Sequence, residues 1–400
     1  MKILFISREY PPESGGGGIG SYVANMAAAF AARGHQVHVL SCDDRQARSD
    51  RDDDGVIVHR RAMPQIRIVG RALGIPNAIT RLRIGIANAI EYRRLGIDFD
   101  VVEHPDLLAE GWVMALGRRT PMVAHLHSGI DLLRTYGGVA INRDIAISSR
   151  IERLAVESSD AVTAPSDLIV GEAKRRGWLR DRDVRMVALP VDASRWRSVA
   201  PVAHTHATIG FIGRLEHNKA PDVVVRALAI LRRRISAASA VFIGNVDGSA
   251  ATRSGLEWLR SLGLELDECR FTGSLAPDRV AQELSVCRVV AHPALFDNFP
   301  MATVEAMAAG RPVVLSKSCG TAGIVEDAGA GAVVPKNDPK ALADALEPWL
   351  ADATLASAAG ERGRKAVEKL LSFERIASHR EQVYREAIAS FGGGRSRLAA

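Results

Sequence analysis

Short apolar runs alternate with helical patterns from one end of the chain to the other, and this alternation constrains the fold more than any other feature. Apolar runs of three to six residues, each followed by a helix, are the pattern of parallel sheets covered on both faces. Residues 3–7 read as the first strand, 21–33 as an Ala-rich helix closed by Gly34, and 37–41 as the next strand. Runs at 56–59, 101–103, 122–125 and 161–164 continue the series. The pattern breaks over 186–200, then resumes at 208–212, 240–243, 270–272, 289–292, 312–315 and 331–334. A chain of 400 residues is too long for one ordinary core,. Two doubly wound, Rossmann-like α/β domains are therefore predicted, over 1–198 and 207–372, joined by a linker at 199–206. A helix over 373–391 is expected to pack back on the first domain, and 392–400 to be a disordered tail. Ligands of such sheets bind at the carboxyl ends of the strands, so a cleft between two facing sheets is the expected site.

Composition narrows the function classes. Apolar residues make up 47% and charged residues 24%, as in soluble globular proteins,. The net charge of +6 is spread over both halves, whereas a nucleic-acid binder concentrates it in a stripe,. Only eight of the 52 basic residues are Lys, which singles out Lys219. Cys42, Cys269, Cys287 and Cys319 form no CxxC pair and read as reduced thiols,. The opening run of four apolar residues before Ser7 is too short for a signal peptide, and no stretch approaches the roughly 20 residues needed to span a bilayer,. A cytoplasmic protein is expected. Residues 60–94 carry Arg60, Arg61, Arg67, Arg71, Arg81, Arg83, Arg93 and Arg94 with Glu91 as the one acid. Such a segment is either a solvated helix face or a peripheral contact with the inner face of a membrane.

Four constellations carry chemistry. Gly15–Gly16–Gly17–Gly18–Ile19–Gly20 lies between the first strand and the first helix, where backbone N–H groups can approach an anion,. It satisfies G-x-G-x-x-G, and Asp43 or Asp44 stands where a dinucleotide site has its acid; yet seven residues, 8–14, separate strand and glycines,. Gly213–Arg214 to Lys219 follows the first strand of the second domain and sets two cations at the mouth of a sheet, suited to a diphosphate,. Asp297 and Glu305 flank Asn298, Phe299, Pro300 and Met301, and carboxylates suit sugar and ribose hydroxyls. The small residues 306–310 after Glu305 are expected to let the helix backbone approach a ligand. Gly320–Thr321–Ala322–Gly323 opens a further helix and offers N–H groups to phosphate,. The D-x-D spellings at 52–54 and 181–183 sit in charged connecting segments and read as solvated loops.

Together these stretches resemble the glycosyltransferase family 4 group, retaining enzymes of the GT-B architecture. The resemblance runs from PPESGGGGIGSYVANMAAAFAARGHQVHVL through FIGRLEHNK and FTGSL to FDNFPMATVEAMAAGRPVV and AGIVEDAGAGAVVP. It implies a first domain that binds the acceptor and a second that binds a nucleotide-diphosphate sugar. Gly17 and Gly18 resemble the loop facing donor phosphate and acceptor, and Arg214 and Lys219 the diphosphate-binding pair. Glu305 corresponds to the second acid of E-x7-E, which holds the ribose. Asp297 stands in place of the first glutamate, one methylene shorter, so the N–H groups of Asn298, Phe299 and Met301 are expected to share its sugar contact. Ser274 and Leu275 resemble the nucleobase edge, and Gly320–Gly323 the turn that gives N–H groups to phosphate or sugar. His127 matches the histidine near the reacting face of the sugar; His125 belongs to the strand. No cofactor and no metal are implied. Three rivals share parts of the pattern: a Rossmann oxidoreductase, a nucleotide-sugar epimerase and a non-catalytic nucleotide-sugar-binding protein.

Overall fold

The computed structural model describes residues 1–12, 17–43, 48–63, 73–180, 182–201, 207–245 and 254–398. They divide into two units, one of Met1–Thr135, Val139–Pro190 and Phe373–Ala400, the other of Tyr136–Gly138 and Val191–Ser372. The division falls at Pro190 and Val191, before the join expected at 199–206. The reason is local: Val191 N–H donates to the Leu371 carbonyl at 2.9 Å, and the 3-10 turn Ala193–Trp196 buries Trp196 against the helices Met301–Ala308 and Ala353–Leu370. Residues 202–206 lie outside the described residues, as do 13–16, which hold Gly15 and Gly16.

The first unit is built on β1 (Lys2–Ile6), β2 (Gln36–Asp43), β3 (Ser49–Asp53), β4 (Val56–Ala62), β5 (Val101–Pro105), β6 (Met122–His125), β7 (Ala161–Ala164) and β8 (Arg185–Met186). Their order in the sheet is β3-β4-β2-β1-β5-β6-β7-β8, parallel except for β3. Leu4 and Ile6 of β1, Leu40 of β2 and Val102 of β5 pack with Ile84, Ala87 and Ala115 in one core cluster. The order reverses between β1 and β5, which makes a switch point at their carboxyl ends,. Asp52 and Asp53 lie in edge strand β3 and not in a loop, and the Asp52 carboxylate accepts the Gly55 N–H at 2.7 Å. A short charged strand at an edge discourages pairing with another chain.

The basic segment does not form the surface its sequence suggests. Arg81 is 1% exposed and gives Nε and Nη2 to Glu152 Oε1 at 2.8 and 2.6 Å. Arg61 reaches Glu91 and Asp50, Arg60 donates to the Tyr10 and Pro11 carbonyls, and Arg83 is buried. Arg93 and Arg94 are exposed; Arg67 and Arg71 lie outside the described residues. A buried guanidinium needs its carboxylate, and Glu152 and Asp50 come from other elements. No helix among the described residues is long and apolar enough to cross a membrane.

The terminal helix Phe373–Leu398 belongs to the first unit. Arg33 Nη2 meets Glu381 at 2.8 Å, and Arg380 and Tyr384 are fully buried. Where a disordered tail was expected from 392, the helix runs on to Leu398. Propagating a helix already anchored by its first turns adds a hydrogen bond per residue fixed, unlike starting one.

The second unit carries β9 (Thr208–Ile212), β10 (Ser239–Ile243), β11 (Cys269–Gly273), β12 (Val289–His292), β13 (Val313–Ser316) and β14 (Gly331–Val334). The order β11-β10-β9-β12-β13-β14 is parallel throughout, and the switch point lies between β9 and β12. Ile209, Phe211, Phe242 and Val289 meet Val224, Leu228, Leu342 and Leu346 in the core. At the carboxyl end, Gly213 N–H donates to the Ile243 carbonyl at 2.9 Å. A Cβ on neighbouring Gly244 would lie 2.2 Å from the Gly213 oxygen, and Gly244 has φ +146, so both space and backbone demand glycine there,.

Candidate functional site

At the switch point of the second unit, two loops meet. After β9 the chain passes Gly213 and Arg214 into the 3-10 turn His217–Lys219, and Pro221 then opens the helix Pro221–Arg232. After β12 it forms the loop 293–300 and enters the helix Met301–Ala308. The Leu295 N–H donates to the Asn218 carbonyl at 2.8 Å and fastens the loops together. Lys219 Nζ then reaches Asp297 Oδ2 at 2.5 Å, and His292 Nε2 reaches the same oxygen at 2.8 Å. Asp297 is held at its backbone too: its N–H donates to the Ser318 carbonyl at 3.0 Å and its carbonyl accepts the Gly320 N–H at 2.9 Å. Burial pushes the Asp297 carboxyl up, but the Lys219 charge and the His292 hydrogen bond outweigh it and hold it well below the usual range,.

The two expected cations are placed differently. Lys219 is drawn in against Asp297, its side chain 19% exposed. Arg214 is 65% exposed and pairs with Glu216 at 3.2 Å. An exposed ion pair of this kind is weak and free to exchange for a ligand.

Glu305 sits one turn into the helix Met301–Ala308, and burial pushes its carboxyl up to about 7 despite the charge of Arg195. The small residues after it have another use than ligand approach. Ala306, Ala308 and Ala309 are 0% exposed, and a Cβ on Gly360 would lie 1.9 Å from the Gly310 oxygen. They let the helix Ala353–Leu370 pack closely, which corrects the sequence expectation.

The turn Gly320–Gly323 is likewise partly engaged within the protein. Gly320 N–H is held by the Asp297 carbonyl and Ala322 N–H by the Cys319 carbonyl at 3.0 Å, so these two do not offer N–H groups as expected. The chain must bend here to bring Asp297 and Cys319 into their bridge, and the bend uses those donors. The N–H groups of Thr321 and Gly323 have no acceptor among the described residues. Thr321 Oγ1 meets Thr303 Oγ1 at 2.9 Å and ties the turn to the Glu305 helix. Asn298, Phe299 and Pro300 are buried and Met301 is half-buried. Ser274 is exposed beyond Gly273, while Leu275 packs against Val241, Ile243 and Cys287.

In the first unit, Gly17 caps the helix Gly18–Ala32 in extended conformation, and a Cβ on it would lie 2.7 Å from Glu9 Oε2. Asp43, the acid a dinucleotide reading would use, is paired with Arg8 at 2.6 Å, and Asp44 lies outside the described residues. His127 follows β6, and its N–H donates to Asp106 Oδ1 at 2.8 Å. Its ring meets those of Tyr22 at 5.2 Å and His125 at 4.7 Å. Burial, and then Arg380, pull the His127 imidazole down to about 3, so it is neutral near pH 7,.

The sequence did not single out the groups around it. Glu103 Oε2 accepts from Arg380 Nη1 and the Tyr384 hydroxyl, both at 2.6 Å, and Oε1 from Tyr22 at 2.5 Å. Arg380 also faces Thr163 at 3.1 Å and His125 Nδ1 at 3.3 Å. Burial pushes Asp106 up to about 7 and Glu110 to about 8. The one sequence signal for this cluster was acids within strand 101–105 and its flank, places where a charge needs a partner.

Comparison with known proteins identifies the family. Residues 17–192 match the family described as glycosyl transferase 4-like domain, and 192–366 that of glycosyl transferases group 1. A D-inositol 3-phosphate glycosyltransferase of Nocardioides is 30% identical over 322 residues, 73% of this chain and 68% of the relative. Sucrose-phosphate synthase of Thermosynechococcus elongatus superposes with a TM-score of 0.77 at 21% identity, covering 97% of this chain and 99% of that one. The Anabaena protein HepE, solved with UDP and glucose, does so with 0.70 at 16% identity, covering 96% and 100%. The two doubly wound sheets are those of the GT-B class. The chain belongs to the family 4 glycosyltransferases within that class and is an enzyme of hexosyltransferase type.

Proposed function

We propose that the enzyme transfers a hexosyl group from a nucleotide-diphosphate sugar to an acceptor hydroxyl with retention of anomeric configuration. The observation that carries this reading is the pairing of Lys219 with Asp297 at the switch point of the second sheet, in the loop that leads into the helix carrying Glu305. Lys219, exposed Arg214 and the N–H groups of Thr321 and Gly323 meet the charge that grows on the leaving diphosphate. Glu305 accepts hydrogen bonds from the ribose, with the base toward Ser274 and Leu275. Asp297 is engaged by Lys219 and His292, which argues against a carboxylate nucleophile,. In the proposed step the bond from the anomeric carbon to the phosphate oxygen breaks as the acceptor oxygen bonds to that carbon. The acceptor's proton passes to the leaving phosphate. In this reading neutral His127 acts on the sugar, and Gly17 and Gly18 serve donor phosphate and acceptor.

A thermal-shift screen of nucleotide sugars tests the donor. A ligand at 100 times its Kd adds about 2.7 kcal/mol; no shift with any nucleotide sugar overturns the reading. Product analysis with and without acceptor separates transfer from epimerisation or mere binding, and the anomeric configuration of the product decides retention. Lys219 and Arg214 take the place of a divalent cation in this reading. Activity should therefore survive EDTA, and loss restored by Mg²⁺ would count against it. Since nucleotide sugars are cytoplasmic metabolites, the enzyme is placed on that side.

Donor binding should strengthen with pH. Ribose hydroxyls donate to the ionised Glu305 carboxylate, whose folded pKa of about 7 lies above its ordinary 4.5. Affinity then rises between about pH 6 and pH 8 as the group ionises. The stability of the free protein moves oppositely: the neutral group contributes fully below pH 4.5, and its share falls as pH rises through 7,. Titration of Glu305→Gln should show a flatter profile than wild type; an unchanged slope would assign it to another group.

A further inference from the structure

His292 is the last residue of β12, 2% exposed, in a strand whose other members are apolar and buried. A packing role alone would be met by a further aliphatic or aromatic side chain. Instead the imidazole places Nε2 2.8 Å from Asp297 Oδ2 and leaves Nδ1 buried without a partner among the described residues. An ionised carboxylate only accepts, so Nε2 carries the hydrogen and Nδ1 is the open lone pair. A buried acceptor without a donor is a cost, and something must offset it. The hydrogen bond to Asp297 is the visible return.

Both donors to Asp297, the Lys219 ammonium and the His292 ring, land on the one oxygen, Oδ2. Oδ1 has no partner among the described residues. The carboxylate is thus fixed from the strand end by His292 and from the loop by its own backbone bonds to Ser318 and Gly320. We propose that His292 is a positioning residue: it holds the Asp297 carboxylate back at the end of β12 so that Lys219 is set in one place to receive a diphosphate, while Oδ1 stays open to a substrate hydroxyl. This rests on the reading of Lys219 as the diphosphate-binding cation. It also accounts for aspartate at 297. A carboxylate one methylene further out would move away from the ring of His292, whose own position is set by the strand.

The probe is inorganic pyrophosphate, which carries the shared chemistry of every nucleotide-diphosphate donor and commits to no base or sugar. Its affinity is measured by calorimetry for wild type, His292→Phe, His292→Gln, Lys219→Ala and the double variant Lys219→Ala with His292→Phe. Phe keeps the ring and removes the donor; Gln restores an N–H of similar reach. His292→Phe is expected to bind about tenfold more weakly, the scale of one charge-assisted hydrogen bond. His292→Gln should return to within about threefold of wild type, and adding His292→Phe to Lys219→Ala should change nothing further. A structural role alone would give neither the rescue by Gln nor the loss of effect without Lys219. Wild-type affinity in His292→Phe, or losses that multiply in the double variant, overturns the proposal. If His292→Phe does not fold, His292→Gln against His292→Met serves as the pair. Undiminished binding by Lys219→Ala defeats the donor reading itself, and this inference with it.

Discussion

Lys219→Ala is expected to lower kcat/KM for the nucleotide sugar by about 10²–10³-fold, the effect of removing one preorganised group aimed at developing charge. Two consequences add. The cation that meets the diphosphate is gone, and Asp297 keeps its negative charge with His292 as its remaining side-chain partner, so the pocket turns from attracting phosphate to repelling it,. Lys219→Arg is not a neutral control, because a longer planar fork cannot occupy the 2.5 Å position of the ammonium without displacing Asp297,. Arg214→Ala should cost far less, since Arg214 is 65% exposed and its charge is shared with solvent and Glu216,. Steady-state kinetics with product analysis checks the ranking, with calorimetry to show that Lys219→Ala remains folded. A Lys219→Ala enzyme within threefold of wild type, or one less impaired than Arg214→Ala, would remove Lys219 from the donor site.

How much of this was legible beforehand depends on what each residue's partner is. Parallel strands buried on both faces write themselves as apolar runs, so β6, β7, β9 and β12 stand where the runs stand,. The edge strands β3, SDRDD, and β8, of two residues, carry no such run, because an edge strand facing water keeps polar side chains,. The loops around Lys219 and Asp297 were legible as a motif at strand ends. Their geometry was not, since nothing in sequence says that Asp297 turns toward Lys219 and His292, or that the Gly320 N–H is held by the Asp297 carbonyl. The arginines of 60–94 misled for the same reason. A guanidinium reads as surface until its carboxylate is known, and Arg81 finds Glu152 71 positions away,.

A buried pair much further apart in sequence supplies the second large effect. Arg380→Met is expected to destabilise the first unit by about 3–5 kcal/mol, because it strands the Glu103 carboxylate, 2% exposed, without its cation,. Glu103→Leu should cost a similar amount by stranding the fully buried Arg380. Removing both charges together should cost clearly less than the sum, leaving mainly the Tyr22 and Tyr384 hydroxyls without their acceptor, at about 1–3 kcal/mol each,. Denaturant unfolding of the four proteins gives the coupling directly, and strict additivity would show that the pair is not the unit supposed here. The same chemistry predicts what truncation does. A helix whose residues 373–398 come last in sequence looks dispensable, yet it brings Arg380 and Tyr384 to a carboxylate on β5, 277 and 281 positions upstream. Ending the chain before Phe373 should therefore unfold the first unit, where cutting a peripheral helix would only shorten the protein. It should also remove the cation that, after burial, holds His127 neutral. A truncated protein that retains cooperative unfolding of the first unit would show that Glu103 finds another partner.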